Sequence, residues 1–145
     1  MDKANIEAAA GQQLRTTIAL AVLFNEWVAS EVGMTLSEMQ TIHLLQLQGS
    51  LSPGEITAAT GLTSGSTTAL LDRLAQLKFI RRAPHPTDRR KVLISLNEAQ
   101  VFKKLMPYYQ SKAEHAATVI STFTAAELAI INRFFIALNE EERVS

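Results

Sequence analysis

"SPGEITAATGLTSGSTTALLDRLAQLKFIRRAPHPTDRRKVLISL" fills residues 52–96 and changes its apolar period part-way along. Ser52-Pro53-Gly54-Glu55 reads as a capping box, with proline at the first helical position where a missing N–H costs nothing. A short helix from about Pro53 to Thr60 stops at Gly61. After a turn at Gly61-Leu62-Thr63, Leu70, Leu71, Leu74 and Leu77 recur at helical spacing, with Thr63 or Ser64 as N-cap. The period then shortens. "FIRRA" (79–83) and "KVLISL" (91–96) are β-type runs, the second alternating Val92, Ile94 and Leu96 with Lys91, Leu93 and Ser95. The turn formers of "PHPTDR" (84–89) join them. Short helix, tight turn, helix and basic hairpin, in that order, predict a winged helix-turn-helix.

Outward from this stretch the pattern is helical. Thr35-Leu36-Ser37-Glu38 is a second capping box, opening a helix that carries Leu36, Met39, Ile42 and Leu45 and ends before Gly49. Leu14, Ile18, Val22 and Val28 mark a long first helix ending near Gly33. Asn97 is an N-cap for the helix beginning "EAQVFKKL", which Pro107 is expected to kink. Thr124-Ala125-Ala126-Glu127 opens a last helix to about Asn139, striped by Leu128, Ile131, Phe134, Phe135 and Leu138. Long terminal helices with apolar stripes bury against each other or against a second copy. The expected fold is therefore mainly α with a small β-hairpin wing: one unit with a winged helix-turn-helix at 34–96, flanked by N- and C-terminal helical regions at 1–33 and 97–145 that pack on each other or, as dimerisation helices, on a second copy.

The chain has 14 Lys+Arg against 14 Asp+Glu, but the balance holds only in the sum. Residues 1–72 carry a net −5, residues 73–91 a net +6 and residues 92–145 a net −1. Half of the positive charge thus lies in the second helix of the motif and the hairpin, which is the electrostatic footprint of a phosphate-backbone binder. No apolar run reaches the ~18 residues of a membrane span, and no basic n-region precedes an apolar h-region at the start. The absence of cysteine excludes disulfides and thiol chemistry. A soluble cytoplasmic protein without membrane contact is expected.

On the helix after the turn, the leucines take the core face and Ser64, Gly65, Ser66, Thr68, Ala69 and Arg73 take the other. Small hydroxyl side chains at a helix N-terminus let DNA approach closely and can reach phosphates or base edges. "GLTSGSTT" is not a phosphate-cradling P-loop, lacking the Gly-Lys-Ser/Thr ending. Arg89 and Arg90 stand at the hairpin tip, and arginine is drawn to the negative potential of a narrow minor groove. Asp88 makes sense there if it holds the Arg90 guanidinium in a bidentate pair. Arg73, Lys78 and Lys91 are the expected phosphate contacts.

These residues resemble the MarR family of bacterial transcription regulators. "DRRKVLISL" matches the family's wing signature, Asp-x-Arg-x-x-x-Leu-x-Leu, at Asp88, Arg90, Ile94 and Leu96, with Ile for the first Leu. The helix-turn-helix is similar through Leu62, Leu70, Leu71, Asp72, Arg73, Leu74 and the closing Arg81-Arg82. The six-helix order and the chain length also fit. The resemblance implies a homodimer with interlocked terminal helices on a palindromic operator. It further implies that Arg90 enters the minor groove, that the second helix of the motif reads the major groove, and that a small-molecule effector releases the DNA. Four features depart from the family pattern or qualify it: threonines at 57, 60 and 67 replace Ala or larger apolar residues, and such threonines can bond back to the i−4 carbonyl; Lys78 and Gln100 replace glycines; and without cysteine the chain is not a peroxide-sensing member.

Other chemistry has less support. His43, His85 and His115 lie on three different elements, so no zinc site and no cofactor is expected. A hydrolase lacks both a Gly-x-Ser-x-Gly elbow and an acid–base pair, so the chain is not read as an enzyme. Trp27 and His43 are read as a core tryptophan and a helix-surface histidine, with the lining of an effector pocket as the alternative. A sequence-specific, ligand-responsive repressor is the leading expectation. The alternative is a winged-helix module whose basic patch meets an acidic protein.

Overall fold

The computed structural model describes residues 1–141. In chain order it contains α1 (Lys3–Glu31), α2 (Leu36–Gln48), α3 (Pro53–Thr60), α4 (Ser64–Gln76), β1 (Ile80–Pro84), β2 (Val92–Leu96), α5 (Glu98–Ile120) and α6 (Ala125–Glu141). The mainly helical fold with a hairpin wing is as expected. Residues 142–145 of the expected C-terminal helical region lie outside the described residues.

Side-chain caps fix the helix starts. Thr35 Oγ1 accepts the Glu38 amide at 3.1 Å while the Glu38 carboxylate accepts the Thr35 amide at 3.1 Å. Ser52 and Glu55 exchange the same two bonds, as do Thr124 and Glu127. Thr63 caps α4 and Asn97 caps α5, satisfying donors that a helix leaves orphaned. α5 continues through Pro107.

The core gathers where α1 ends and the helix-turn-helix begins. Met39, Ile42, Ile56, Leu71, Leu74 and Ile94 are fully buried, joined by Val28 and Ala29 from the last turns of α1 and Leu105 from α5. Each such side chain removed from water contributes roughly 1.5–3 kcal/mol. The antiparallel hairpin pairs Ile80 with Leu96 and Pro84 with Val92, which puts Ile80 and Ile94 on the core face. Leu51 adds a one-residue third edge through two backbone bonds to Ile94, of 3.1 and 2.7 Å, a pairing too short to leave a period in the sequence.

Two helices end in the same way at different residues. At α1 the Met34 amide bonds the Ala29 carbonyl and the Gly33 amide the Ser30 carbonyl, with Gly33 left-handed at φ 70. At α4 the Phe79 amide bonds the Leu74 carbonyl and the Lys78 amide the Ala75 carbonyl, with Lys78 at φ 66. Both are Schellman closures, which favour glycine because it has no Cβ to clash. Lys78 takes the glycine's conformation nonetheless, held by Asn97 Nδ2 on its carbonyl at 3.0 Å and by Gln100 Nε2 on the Leu77 carbonyl at 2.9 Å. The two replaced glycines, 78 and 100, thus meet at one junction.

The expected back-bonding threonines are present too: Thr57 Oγ1 lies 2.9 Å from the Pro53 carbonyl and Thr60 Oγ1 donates to Ile56 at 2.7 Å. Thr57 and the buried Thr67 share a hydroxyl–hydroxyl bond of 2.9 Å between α3 and α4. A polar pair thus occupies part of an interface that apolar side chains would otherwise fill.

Away from the core the helices are bare. In α1 the expected stripe residues Ile18 and Val22 are half-exposed, and only Val28 and Ala29 are buried. Trp27, expected in the core, is 49% exposed, its ring edge-on to Tyr108 on α5. No described residue of α6 is buried, and Phe134 and Phe135 are each 49% exposed.

Candidate nucleic-acid interface

α4 is two-faced. Thr67, Leu70, Leu71 and Leu74 are buried, whereas Ser64, Gly65, Ser66, Thr68 and Ala69 are exposed on the remaining face. A Cβ built at Gly65 meets nothing within 4 Å, so the fold itself does not require a glycine there. The Thr68 hydroxyl donates to the Ser64 carbonyl at 3.0 Å, leaving its lone pairs and methyl group outward.

The hairpin tip is organised by His85, a role that its place in the turn segment and the metal-ligand reading do not reveal. Its Nδ1 accepts the amides of Thr87 and Asp88 at 3.2 and 3.1 Å, and the Lys91 amide closes the turn on the Asp88 carbonyl at 3.0 Å. A histidine between two prolines gives no specific turn signal, and only the folded loop reveals this role. Asp88 does not hold Arg90 in the expected bidentate pair. Its Oδ1 accepts the Arg90 amide at 3.1 Å and lies 3.6 Å from Nε, while the Arg90 side chain is 95% exposed. Asp88 therefore fixes the backbone of the tip and leaves the guanidinium to extend into solvent.

Arg73 is engaged within the fold: its Nε lies 2.6 Å from Glu38 Oε1 and its Nη2 donates to the Gly33 carbonyl at 2.7 Å, with 51% of the side chain exposed. Arg82, unremarked among the candidate contacts, pairs with Asp72 at 2.6 Å and ties β1 to α4. Lys78, Arg81, Arg89 and Lys91 are exposed and form no ion pair among the described residues. The basic segment thus divides into arginines that brace the motif and cations that face water.

The three histidines do not converge, and no group of three His, Cys, Asp or Glu among the described residues could hold a metal ion. Among the same residues no helix is long and apolar enough to cross a membrane. Trp27 and His43 line different grooves. Trp27 borders one of about 610 Å³ with Phe24, Tyr108, Lys112 and His115. His43 meets Gln46 at 3.1 Å and lies 3.5 Å from the Tyr109 hydroxyl, which donates to Asn25 at 2.6 Å. Burial raises the Tyr109 pKa above 10.0.

Comparison with known proteins agrees with this geometry. The sequence model of the MarR family matches residues 32–91. The uncharacterized HTH-type transcriptional regulator YcgE of Bacillus subtilis is 30% identical over 132 residues, covering 91% of this chain and 85% of its own. The chain belongs to the MarR family. This makes it a member of a class of transcription regulators, not enzymes. A mutant of MepR from multidrug resistant S. aureus superposes with a TM-score of 0.72 at 18% identity, over 91% of this chain and 96% of that one. A MarR variant from E. coli complexed with operator DNA gives 0.54 at 19%, over 95% and 99%.

Proposed function

We propose that this MarR-family chain is a homodimeric, sequence-specific DNA-binding protein of the cytoplasm that acts as a ligand-responsive repressor on a palindromic operator. The observation that carries the reading is the division of labour in the basic segment. Arg82–Asp72 joins the hairpin to α4, while at the tip Arg89 is exposed and the Arg90 side chain, 3.6 Å from Asp88 at Nε, is 95% exposed. Residues 34–96 form the DNA-binding region in this reading. Arg89 and Arg90 enter the minor groove, Ser64, Ser66, Thr68 and Ala69 face base edges, Gly65 admits the duplex closely, and Lys78 and Lys91 contact phosphates. Asp88 holds the tip's backbone.

The dimer, built from residues 1–33 and 97–145, is supported by the bare terminal helices. Ile130 and Ile136 are each 59% exposed on α6, and residues 111–120 of α5 are exposed throughout. An isolated chain leaves this apolar surface in water, and a second copy covers it. Two-fold symmetry then sets the two α4 helices about one DNA turn, ~34 Å, apart or a multiple of it. The α1–α5 groove beside Trp27 offers room for a small-molecule effector.

A gel-shift series on the DNA upstream of the chain's own coding region tests the reading. Arg90→Ala weakens binding by about 1–3 kcal/mol, and Lys78→Ala lowers the salt slope by roughly one unit. Binding by both variants equal to that of the parent overturns the contact assignment.

A further inference from the structure

Arg73 lies in α4, yet both of its contacts are at the α1–α2 corner. Its Nε is 2.6 Å from Glu38 Oε1 and its Nη2 is 2.7 Å from the Gly33 carbonyl. Glu38 is 3% exposed, and its other carboxylate oxygen receives the Thr35 amide at 3.1 Å. One side chain of α4 therefore grips the closing turn of α1 and the opening cap of α2 together. The grip is short, charge-assisted and directional, and the planar guanidinium allows little variation in angle.

We propose that Arg73, acting with Glu38 and the Gly33 carbonyl, is the positioning residue that fixes the angle between α1 and α4 and thereby the half-site spacing the dimer accepts. The proposal rests on the dimeric DNA-binding reading above. α1 has 29 residues, and at 1.5 Å per residue it is a rod about 44 Å long. Only its last turns are fixed in the core, at Val28 and Ala29. A tilt of about 5° at the clamp moves the far end by about 4 Å, comparable to the ~3.4 Å rise per base pair. A small loss of angular definition at Arg73 thus becomes an error of one base pair between recognition helices.

The test uses a palindromic duplex selected by the parent from a random-sequence pool, then rebuilt with its half-sites one base pair closer or farther, and a single half-site duplex. Two variants are compared. Glu38→Gln with Arg73→Gln removes both charges and keeps a residue suited to the capping box at 38. Arg73→Lys keeps the charge and gives up the fork. The parent is expected to prefer its own spacing by about tenfold, an energy typical of one mismatched position. The double variant should fall to about threefold or less, with Arg73→Lys between them. Affinity for the single half-site and the salt slope are expected to stay at parental values, because in this proposal Arg73 acts through Glu38 and the Gly33 carbonyl and not on a phosphate. Spacing preference retained in both variants overturns the proposal, as does a salt slope reduced by about one unit. If the double variant does not fold, Arg73→Lys alone decides: an unchanged preference is refutation. A parent that selects no duplex instead refutes the DNA-binding reading itself.

Discussion

Lys78→Gly separates backbone strain from charge at a single position. Lys78 sits at φ 66 in the closing turn of α4, the conformation Gly33 adopts at φ 70 after α1. A left-handed conformation costs a residue with a Cβ roughly 1–2 kcal/mol. Glycine removes that cost but gains freedom in the unfolded chain, which offsets about 0.5–1 kcal/mol. The bonds that hold the turn, from Asn97 to the Lys78 carbonyl and from the Phe79 amide to Leu74, involve no atom of the lysine side chain. The net expectation is stabilisation of about 0.5–1 kcal/mol, or roughly 2–4 °C in Tm, at fixed protein concentration. Lys78→Ala keeps the Cβ and should leave Tm within about 0.5 kcal/mol of the parent. Both variants lose the same cation and should show the same reduction of roughly one unit in the salt slope for DNA. Thermal unfolding of the three proteins, paired with DNA titrations at several salt concentrations, reads out both effects. A Lys78→Ala protein as stabilised as Lys78→Gly would falsify the strain argument, since only glycine relieves it.

Further predictions concern the core, the bare helices and the α1–α5 contact. Thr67→Val should cost about 1–2 kcal/mol in denaturant unfolding, and adding Thr57→Val should cost less than the sum, because removing both hydroxyls leaves neither without a partner; strict additivity would contradict the shared bond. Phe135→Glu on α6 should shift sedimentation from dimer towards monomer while the circular dichroism of the winged region persists; an unchanged dimer would remove α6 from the interface. Tyr109 has its pKa raised by burial, so the folded state holds the phenolic proton more tightly than the unfolded chain. Its contribution is therefore complete below pH 10 and is lost as pH rises through the folded value. Tyr109→Phe should remove that alkaline decline, and a parental decline that persists in the variant assigns it elsewhere.

The legibility of this fold followed the range of the interactions. Thr35–Glu38, Ser52–Glu55 and Thr124–Glu127 are bonded within one turn, so the residues alone announce the helix starts. The hairpin was readable because period two survives at Val92, Ile94 and Leu96 and its loop is rich in turn formers. The Lys78 turn was hidden from the residue itself, since lysine carries no sign of φ > 0; the hints were a helix pattern ending at Leu77 without the glycine that usually follows, and the glycine that the resembled family has in place of Lys78. The intramolecular grip of Arg73 was hidden for a different reason. Its partners, Glu38 and Gly33, are distant in sequence, and Glu38 was already accounted for by the capping box. Local pattern identifies a cation on the exposed side of a helix but not the buried carboxylate it folds against. Trp27 was misplaced because a stripe on a long helix does not reveal how much of it the rest of the fold covers.

Most depends on the exposed arginines at the hairpin tip meeting DNA while the helix beside them reads its sequence. Hydroxyl-radical footprinting of the parent on a duplex selected from a random-sequence pool tests this directly. The predicted result is two protected patches related by a dyad, centred about one helical turn or a multiple of it apart, with the outer minor-groove protection lost in Arg89→Ala with Arg90→Ala. Uniform protection without a dyad, or an outer footprint intact in the double variant, would contradict it.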